Sequence, residues 1–336
     1  MKIFLPFHSQ GIGGTSVFAE RFKAGMEQRG HEVFFEPGHA YDVLFLVVQA
    51  PFKYLWEARK KKIPIIQRLD GSWYWSVVQW RFPLYNAKAA IIRHFFTTFT
   101  IYQSLYSRYC SNIFLGKKQI DLSTIIYNGV DLNLFTPQGP TLALRDNPEQ
   151  ILFFSSSAFR REDQIVPIIE ALKIYAHHYT PNFKFLIAGT FTGKASSIPE
   201  KYREFKQLAF LGRIPNTDLP AYERTADVYV ITHLNPPCPN NVIEALACGL
   251  PIGGINDGAM SELVLPEKTG LLLPTEGDAF WKKRKINSEA YAALLHELVQ
   301  NKEKYKTACR QDAEERFSLE RMLEQYETAL KTTLHL

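Results

Sequence analysis

The chain has 336 residues, 46% hydrophobic and 22% charged, with a formal net charge of +5. That length is too great for one typical core and points to two domains, and the surplus of apolar over charged residues excludes a disordered chain. The apolar runs are too short to span a bilayer, and the opening MKIFLPF lacks the apolar length of a signal peptide, so a cytoplasmic protein is expected. Cys110, Cys238, Cys248 and Cys309 lack paired metal spacing, which argues against a zinc site or a disulfide framework.

Short runs of β-branched and aromatic residues alternate with amphipathic stretches, the pattern of parallel strands joined by crossover helices. In the first half the strands are expected at Lys2–Pro6, Glu32–Phe35, Val43–Val48, Pro64–Leu69, Thr98–Gln103 and Thr124–Tyr127. The first of them runs into PFHSQGIGGTSVFAERF, where Gly11, Gly13 and Gly14 let the backbone approach a ligand closely. A dinucleotide fingerprint needs one more glycine, at the place of Ser16, and a plain tight turn is the competing reading. The fourth strand ends in RLDGSWYW. Asp70 there orients a hydroxyl, acts as a base, or serves an Asp-Gly turn, and Trp73, Tyr74 and Trp75 form an apolar platform or part of the core. His8 and His233 read more readily as structural than as catalytic groups.

The positive charge is concentrated in this half: residues 1–140 hold 16 Lys and Arg against 9 Asp and Glu, and the remainder 23 against 25. Arg59-Lys60-Lys61-Lys62 and Lys117-Lys118 suit an anionic acceptor, lipid headgroups or plain solvation. No nucleic-acid recognition module is present in the sequence.

Pro and Gly in FTPQGPT (Phe135–Thr141) mark a linker, which puts the boundary near residue 137. Beyond it the strand rhythm repeats at Ile151–Ser155, Phe183–Ala188, Ala209–Leu211, Val228–Thr232, Pro251–Gly253 and Gly270–Leu273, and after about residue 287 only helices are expected. The expected organisation is therefore a domain over 1–137, a second over 138–310 and a terminal helix over 311–336. In CPNNVIEALACGLPIGG (Cys238–Gly254), Asn240 reads as the N-cap of a helix that Gly249 closes. Strand, turn and helix put that helix's N-terminus at the carboxyl edge of a parallel sheet, where its amides attract phosphate. Val242, Ile243, Leu246 and Ala247 share a packing face, while Glu244 points elsewhere with Cys248 one turn on. A carboxylate accepts hydrogen bonds, so a ribose diol is a fitting partner, although a surface Glu near a helix start would need no ligand.

Four segments together carry a resemblance: IIYNGVDLNLF (Ile125–Phe135), LGRIPNTDLPAYERTADVYV (Leu211–Val230), PNNVIEALACGLPIGG (Pro239–Gly254) and SELVLPEKTGLLLP (Ser261–Pro274). In order and spacing they resemble the retaining family 4 glycosyltransferases. The resemblance implies the GT-B fold, an α/β architecture of two Rossmann-like domains facing each other across a cleft, with a C-terminal helix returning to the first domain. It implies transfer of a sugar from a nucleoside-diphosphate sugar to a hydroxyl, with retention and no cofactor or metal, in polysaccharide or lipid-linked glycan assembly. No Asp-x-Asp is present, and Glu276-Gly277-Asp278 lies in a turn-rich loop.

Carried over residue by residue, the resemblance implies a donor-binding set of Gly13, Gly14, Arg161, Gly189, Gly212, Arg213, Ile214, Pro239, Asn240, Asn241, Val242 and Glu244. The catalytic set is Asp70, Arg160 and Glu244, with Glu244 on the ribose and Gly212–Ile214 by the base. The pattern departs in three places: Pro236 stands where a first Glu is usual, Asp163 about where a Lys is, and Asp70 where many relatives have His. A departing diphosphate needs positive charge, which leaves Arg160 and Arg161 to supply it. The expected partners are the sugar nucleotide, a glycan or lipid-linked acceptor and an anionic membrane surface touched peripherally, with no nucleic acid. A nucleotide-sugar epimerase or phosphorylase of the same architecture, or a non-catalytic sugar-nucleotide-binding partner, are the rival readings.

Overall fold

A computed structural model of the chain describes residues 1–6, 14–275, 279–282 and 284–335. It divides into two compact units, one of Met1–Gly129, Phe280–Lys283 and Leu319–Leu336, the other of Val130–Ala279 and Arg284–Ser318.

The first unit contains β1 (Lys2–Phe4), α1 (Gly14–Gln28), β2 (Glu32–Phe34), β3 (Val43–Val47), α2 (Phe52–Lys60), β4 (Ile65–Leu69), α3 (Trp75–Val78), α4 (Phe82–Phe95), β5 (Phe99–Tyr102), α5 (Leu105–Phe114) and β6 (Ser123–Ile125). The second contains β7 (Ile151–Phe159), α6 (Val166–His178), β8 (Phe183–Phe191), α7 (Ile198–Lys201), β9 (Leu208–Gly212), α8 (Leu219–Thr225), β10 (Val228–Ile231), α9 (Asn240–Ala247), β11 (Ile252–Ile255), α10 (Met260–Leu263), β12 (Gly270–Leu273), α11 (Ser288–Gln300) and α12 (Lys302–Arg316). The last helix, α13 (Leu319–Leu334), belongs to the first unit. Each expected strand coincides with an observed one, within a few residues at the ends.

Both sheets are six-stranded and their pairings parallel, in the orders β2-β1-β3-β4-β5-β6 and β12-β11-β10-β7-β8-β9. Burial explains the apolar runs of β3, β10 and β11, where every residue is buried, as in a sheet covered on both faces; β4 and β5 are buried throughout as well, with the polar Gln67, Arg68 and Thr100 inside. The strand order reverses between β1 and β3 in the first unit and between β7 and β10 in the second, and open α/β sheets bind ligands at such points, outside the carboxyl ends of the strands.

The linker-like segment 135–141 lies inside the second unit, because two arginines hold its carbonyls. Arg224 of α8 donates to Thr136 at 3.2 Å and Pro140 at 3.0 Å, and Arg310 of α12 donates to Phe135 at 2.8 Å. The division therefore falls between Gly129 and Val130 rather than near residue 137. The terminal division falls between Ser318 and Leu319, so α12 stays with the second unit.

In the first unit α1 buries Phe18, Ala19, Phe22, Gly25 and Met26, and α13 buries Met322, Leu323, Tyr326, Ala329 and Leu330. The two stripes share one core with Ile3, Val33, Val43, Phe45 and Ile66. They approach at Gly25, where a Cβ would sit 2.3 Å from a Leu323 methyl, so a side chain there would displace the Leu323 side chain. Tyr326 centres the contact, with its ring 5.3 to 5.9 Å from Phe18, Phe22 and Phe45 and its hydroxyl accepting from Arg68 Nε at 3.0 Å. Tyr326→Ala should lower the stability of the first unit by about 3–5 kcal/mol and Tyr326→Phe by about 1 kcal/mol, measured by chemical denaturation.

Candidate functional site

In the second unit β7 and β8 stay in register to Phe159↔Phe191, whereas the last register pair between β10 and β7 is Tyr229↔Phe154. The β10-facing edge of β7 is thus left without a strand partner beyond that point, and buried backbone groups need substitutes. Side chains supply them. The Ser156 carbonyl accepts from Tyr229 Oη at 3.0 Å and from Asn241 Nδ2 at 2.7 Å. The second bond ties the first turn of α9 to the end of β7 across the reversal of strand order.

The expected N-cap at Asn240 is not the one observed. Asn240 is the first helical residue, and the N-cap is Pro239, extended at φ −72° and ψ 116°, which makes no side-chain cap. Proline has no side-chain oxygen to accept from the first amides, and the carboxamide of Asn241 is spent on Ser156 and on the Val242 amide, at 3.1 Å. Val242 packs in the core, as its face predicts.

Glu244 is 6% exposed and so is not a surface residue. Sequence reasoning missed its neighbour Glu223 on α8, which is 1% exposed. Burial first, and then the negative charge of Glu244, raise the Glu223 carboxyl well above the ordinary range, which favours the protonated acid. Cys248, one turn beyond Glu244, lies against Glu223, and its thiol is pushed far up by burial and by the same acid. Glu223 reads in sequence as one more charge on an amphipathic helix; only the packing of α8 on α9 shows that it faces inward.

Arg160 and Arg161 follow β7. Gln164 Oε1 accepts from both their amides, at 2.8 and 3.0 Å, and fixes the turn. Arg161 is paired with Asp163, its Nη2 3.0 Å from Oδ2, while the exposed Arg160 side chain has no ion pair among the described residues. Lys194, a further cation missed in the sequence, has its backbone against this turn. The Lys194 amide donates to the Arg160 carbonyl at 3.1 Å and the Thr192 amide to that of Phe159 at 2.9 Å, so the segment after β8 folds over the end of β7. The sequence signal is the Gly193-Lys194 pair just past a strand; Gly193 has φ +59° and comes close to the Arg160 carbonyl.

Gly189 has φ +131°, and a Cβ there would lie 1.8 Å from the Ser157 carbonyl oxygen, so no other residue fits. Gly212 ends β9 at φ +68°, Arg213 is exposed and Ile214 half-buried. Pro236, in the place of a first carboxylate, is buried, and its carbonyl accepts from the Ala259 amide at 2.9 Å.

In the first unit Gly14 opens α1 and is exposed, while Gly13, Gly11, His8 and 276–278 lie outside the described residues. Asp70, just past β4, bonds the Arg68 guanidinium, which also donates to Asn128 Oδ1 at 2.9 Å and lies 3.6 Å from the Phe18 ring centroid. An arginine-bound carboxylate is a firmly positioned acceptor. Tyr74 is buried against Phe280 and Phe114, whereas Trp73 and Trp75 are exposed.

The family model described as glycosyl transferases group 1 matches residues 143–316, just over half of the chain. The chain belongs to that family. It is 27% identical over 172 residues to D-inositol 3-phosphate glycosyltransferase of Mycobacteroides abscessus, a match covering 47% of this chain and 37% of that relative. Among solved structures it is similar to sucrose-phosphate synthase from Thermosynechococcus elongatus (TM-score 0.78, 16% identity, 98% of each chain). It is also similar to Anabaena HepE, solved in complex with UDP-glucose (TM-score 0.75, 17% identity, 99% of this chain and 100% of that one). These likenesses show the fold, which is GT-B, with a Rossmann-like sheet in each unit.

His233, half-buried after β10, has its ring 6.3 Å from that of Phe159. Burial, and then the charge of Arg161, hold its pKa down to about 4, with Asp163 opposing. The folded state therefore resists protonation, so the stability due to the neutral ring is complete above pH 6.5, the ordinary value, and is lost as the pH falls toward 4. Thermal unfolding followed across that window should show a shallower decline for His233→Gln than for the parent.

Proposed function

We propose that this protein transfers a sugar from a nucleoside-diphosphate sugar to a hydroxyl of a polysaccharide or lipid-linked acceptor, with retention of configuration, as the family 4 members it resembles do. The observation that carries the reading is a buried acid, Glu244, in the second turn of a helix whose first turn is tied to the carboxyl edge of the sheet where its strand order reverses. The names of two relatives, one an inositol-phosphate glycosyltransferase and one bound to UDP-glucose, support the same class of donor.

In this reading Glu244 accepts hydrogen bonds from the ribose diol, and the diphosphate rests at the start of α9, beside Pro239–Val242. Arg160, Arg161 and Lys194 counter the charge that grows on the leaving diphosphate. Gly189 lets the backbone lie close to the donor, and Gly212, Arg213 and Ile214 flank the base. Gly13 and Gly14 belong to the donor-binding set that the resemblance implies. Asp70, held by Arg68, orients a hydroxyl, and the leaving phosphate takes the hydroxyl's proton. Rate then comes from positioning and from stabilisation of the phosphate, with neither cofactor nor metal. The basic first unit meets the acceptor at an anionic membrane surface on the cytoplasmic side.

A non-catalytic binding partner is the second reading, favoured by the Arg161–Asp163 pair, which partly neutralises a cation meant for phosphate. Calorimetry with a panel of nucleoside diphosphates should find one that binds, and Glu244→Ala should weaken it roughly 10- to 150-fold, the loss of one charged hydrogen bond. Sugar transfer from the matching sugar nucleotide should persist in excess chelator. Binding without turnover would select the second reading, and no binding to any nucleotide would defeat both.

A further inference from the structure

One helix of the first unit faces solvent with the wrong side. An amphipathic helix turns its apolar stripe to the core and its charges to water. In α4 the inward positions are Asn86, Ala89, Ile92 and Arg93, while the outward line is Leu84, Ala87, Ile91 and Phe95, at spacing i, i+3, i+7 and i+11. Leu84 is 71% and Phe95 67% exposed. The inversion has a local cause. Asn86 is held inside by exchanging hydrogen bonds with both backbone groups of Trp73, and Arg93 by Tyr102 Oη and Asn112 Oδ1 at 2.7 and 2.8 Å. With polar side chains committed to the interior, the apolar ones are left outside.

The exposed line continues onto α2. Phe52 and Trp56 meet the Phe96 ring at 6.0 and 5.0 Å, and both are exposed, Trp56 by 54%. Trp80, just before α4, is 62% exposed. Contiguous exposed apolar surface of this kind marks a binding face.

The rim is cationic. Lys88 lies 5.8 Å from the Phe52 ring and Arg59 5.8 Å from that of Phe96, with Lys60, Lys61 and Lys62 exposed at the end of α2 and Arg81 at the start of α4. The stretch Gly71–Ile120 contains no Asp or Glu but holds Arg81, Lys88, Arg93, Arg108, Lys117 and Lys118. Glu57, the one acid of α2, is bonded to Lys61 at 2.7 Å.

We propose that α4 and the outer side of α2 form a face that docks on an anionic lipid bilayer, Leu84, Ile91, Phe95 and the tryptophans entering the headgroup boundary and the lysines and arginines meeting lipid phosphates. Charge complementarity selects this occupant: a second copy would bring the same cations face to face, whereas an anionic bilayer offers an apolar boundary and negative charge together. The inference deepens the membrane-surface acceptor reading given above and rests on it for the role of docking; vesicle binding itself requires no sugar nucleotide.

Co-sedimentation of the full chain with phosphatidylglycerol–phosphatidylcholine vesicles tests it. Binding is expected to the mixed vesicles and not to phosphatidylcholine alone, and should weaken as salt rises. Leu84→Ser with Phe95→Ser should lower the partition coefficient at least tenfold, and Lys60→Gln, Lys61→Gln and Lys62→Gln together roughly a hundredfold, about fivefold per charge. Unchanged nucleoside-diphosphate affinity and unfolding temperature would show that the variants fold. Failure to bind anionic vesicles, or binding indifferent to both sets of substitutions, would overturn the proposal. So would a dimer seen by light scattering that the Leu84 and Phe95 changes dissolve, since the face would then belong to a second copy. Vesicle binding without nucleotide binding would instead leave the face standing and remove the glycosyl-transfer reading.

Discussion

The hydrogen bond from Asn241 to the Ser156 carbonyl is the constraint on which the second unit's architecture turns. Parallel strands of unequal length leave part of one edge without a ladder partner, and a buried carbonyl without a donor is costly. By closing that gap with a side chain from α9, the fold sets the start of this helix against the end of β7. The turn of Arg160 and Arg161, the Lys194 segment and His233 then gather around the same edge, because each follows directly from one of the strands that end there.

Electrostatics in the two units follow different plans. In the second, two acids lie close between α8 and α9, and the protein tolerates them by favouring the protonated form of Glu223. In the first, Asp70 is matched by a buried arginine that is itself shared with Asn128 and with Tyr326 of α13. The terminal helix is therefore part of the surroundings of Asp70 as well as of the core. The outward apolar face of α4 follows the same logic in reverse, since interior Asn86 and Arg93 are satisfied at the expense of the usual pattern.

The strand positions were legible because a strand buried on both faces must be an unbroken apolar run, and β3, β10 and β11 read as such in isolation. So was the packing face of α9, Val242, Ile243, Leu246 and Ala247, which repeats with the helical period. The start of α9 was not: Asn240 has the right chemistry for a cap, yet the fold places it one residue inside the helix, and the neighbouring asparagine does the tying. The boundary near residue 137 was read from Pro and Gly, but Arg224 and Arg310, far along the chain, hold that segment to the second unit.

What the sequence by itself determined is the family, the parallel α/β architecture and the placing of Glu244 at a helix start after a strand, since these rest on local periodicity and on motif order. Tertiary structure alone decided that Glu223 faces Glu244, that the Lys194 backbone lies against the turn of Arg160, that Tyr74 is core while Trp73 and Trp75 are exposed, and that α4 turns its apolar side outward. Each of these depends on which elements pack together, and contact between residues distant in the chain leaves no periodic trace in it.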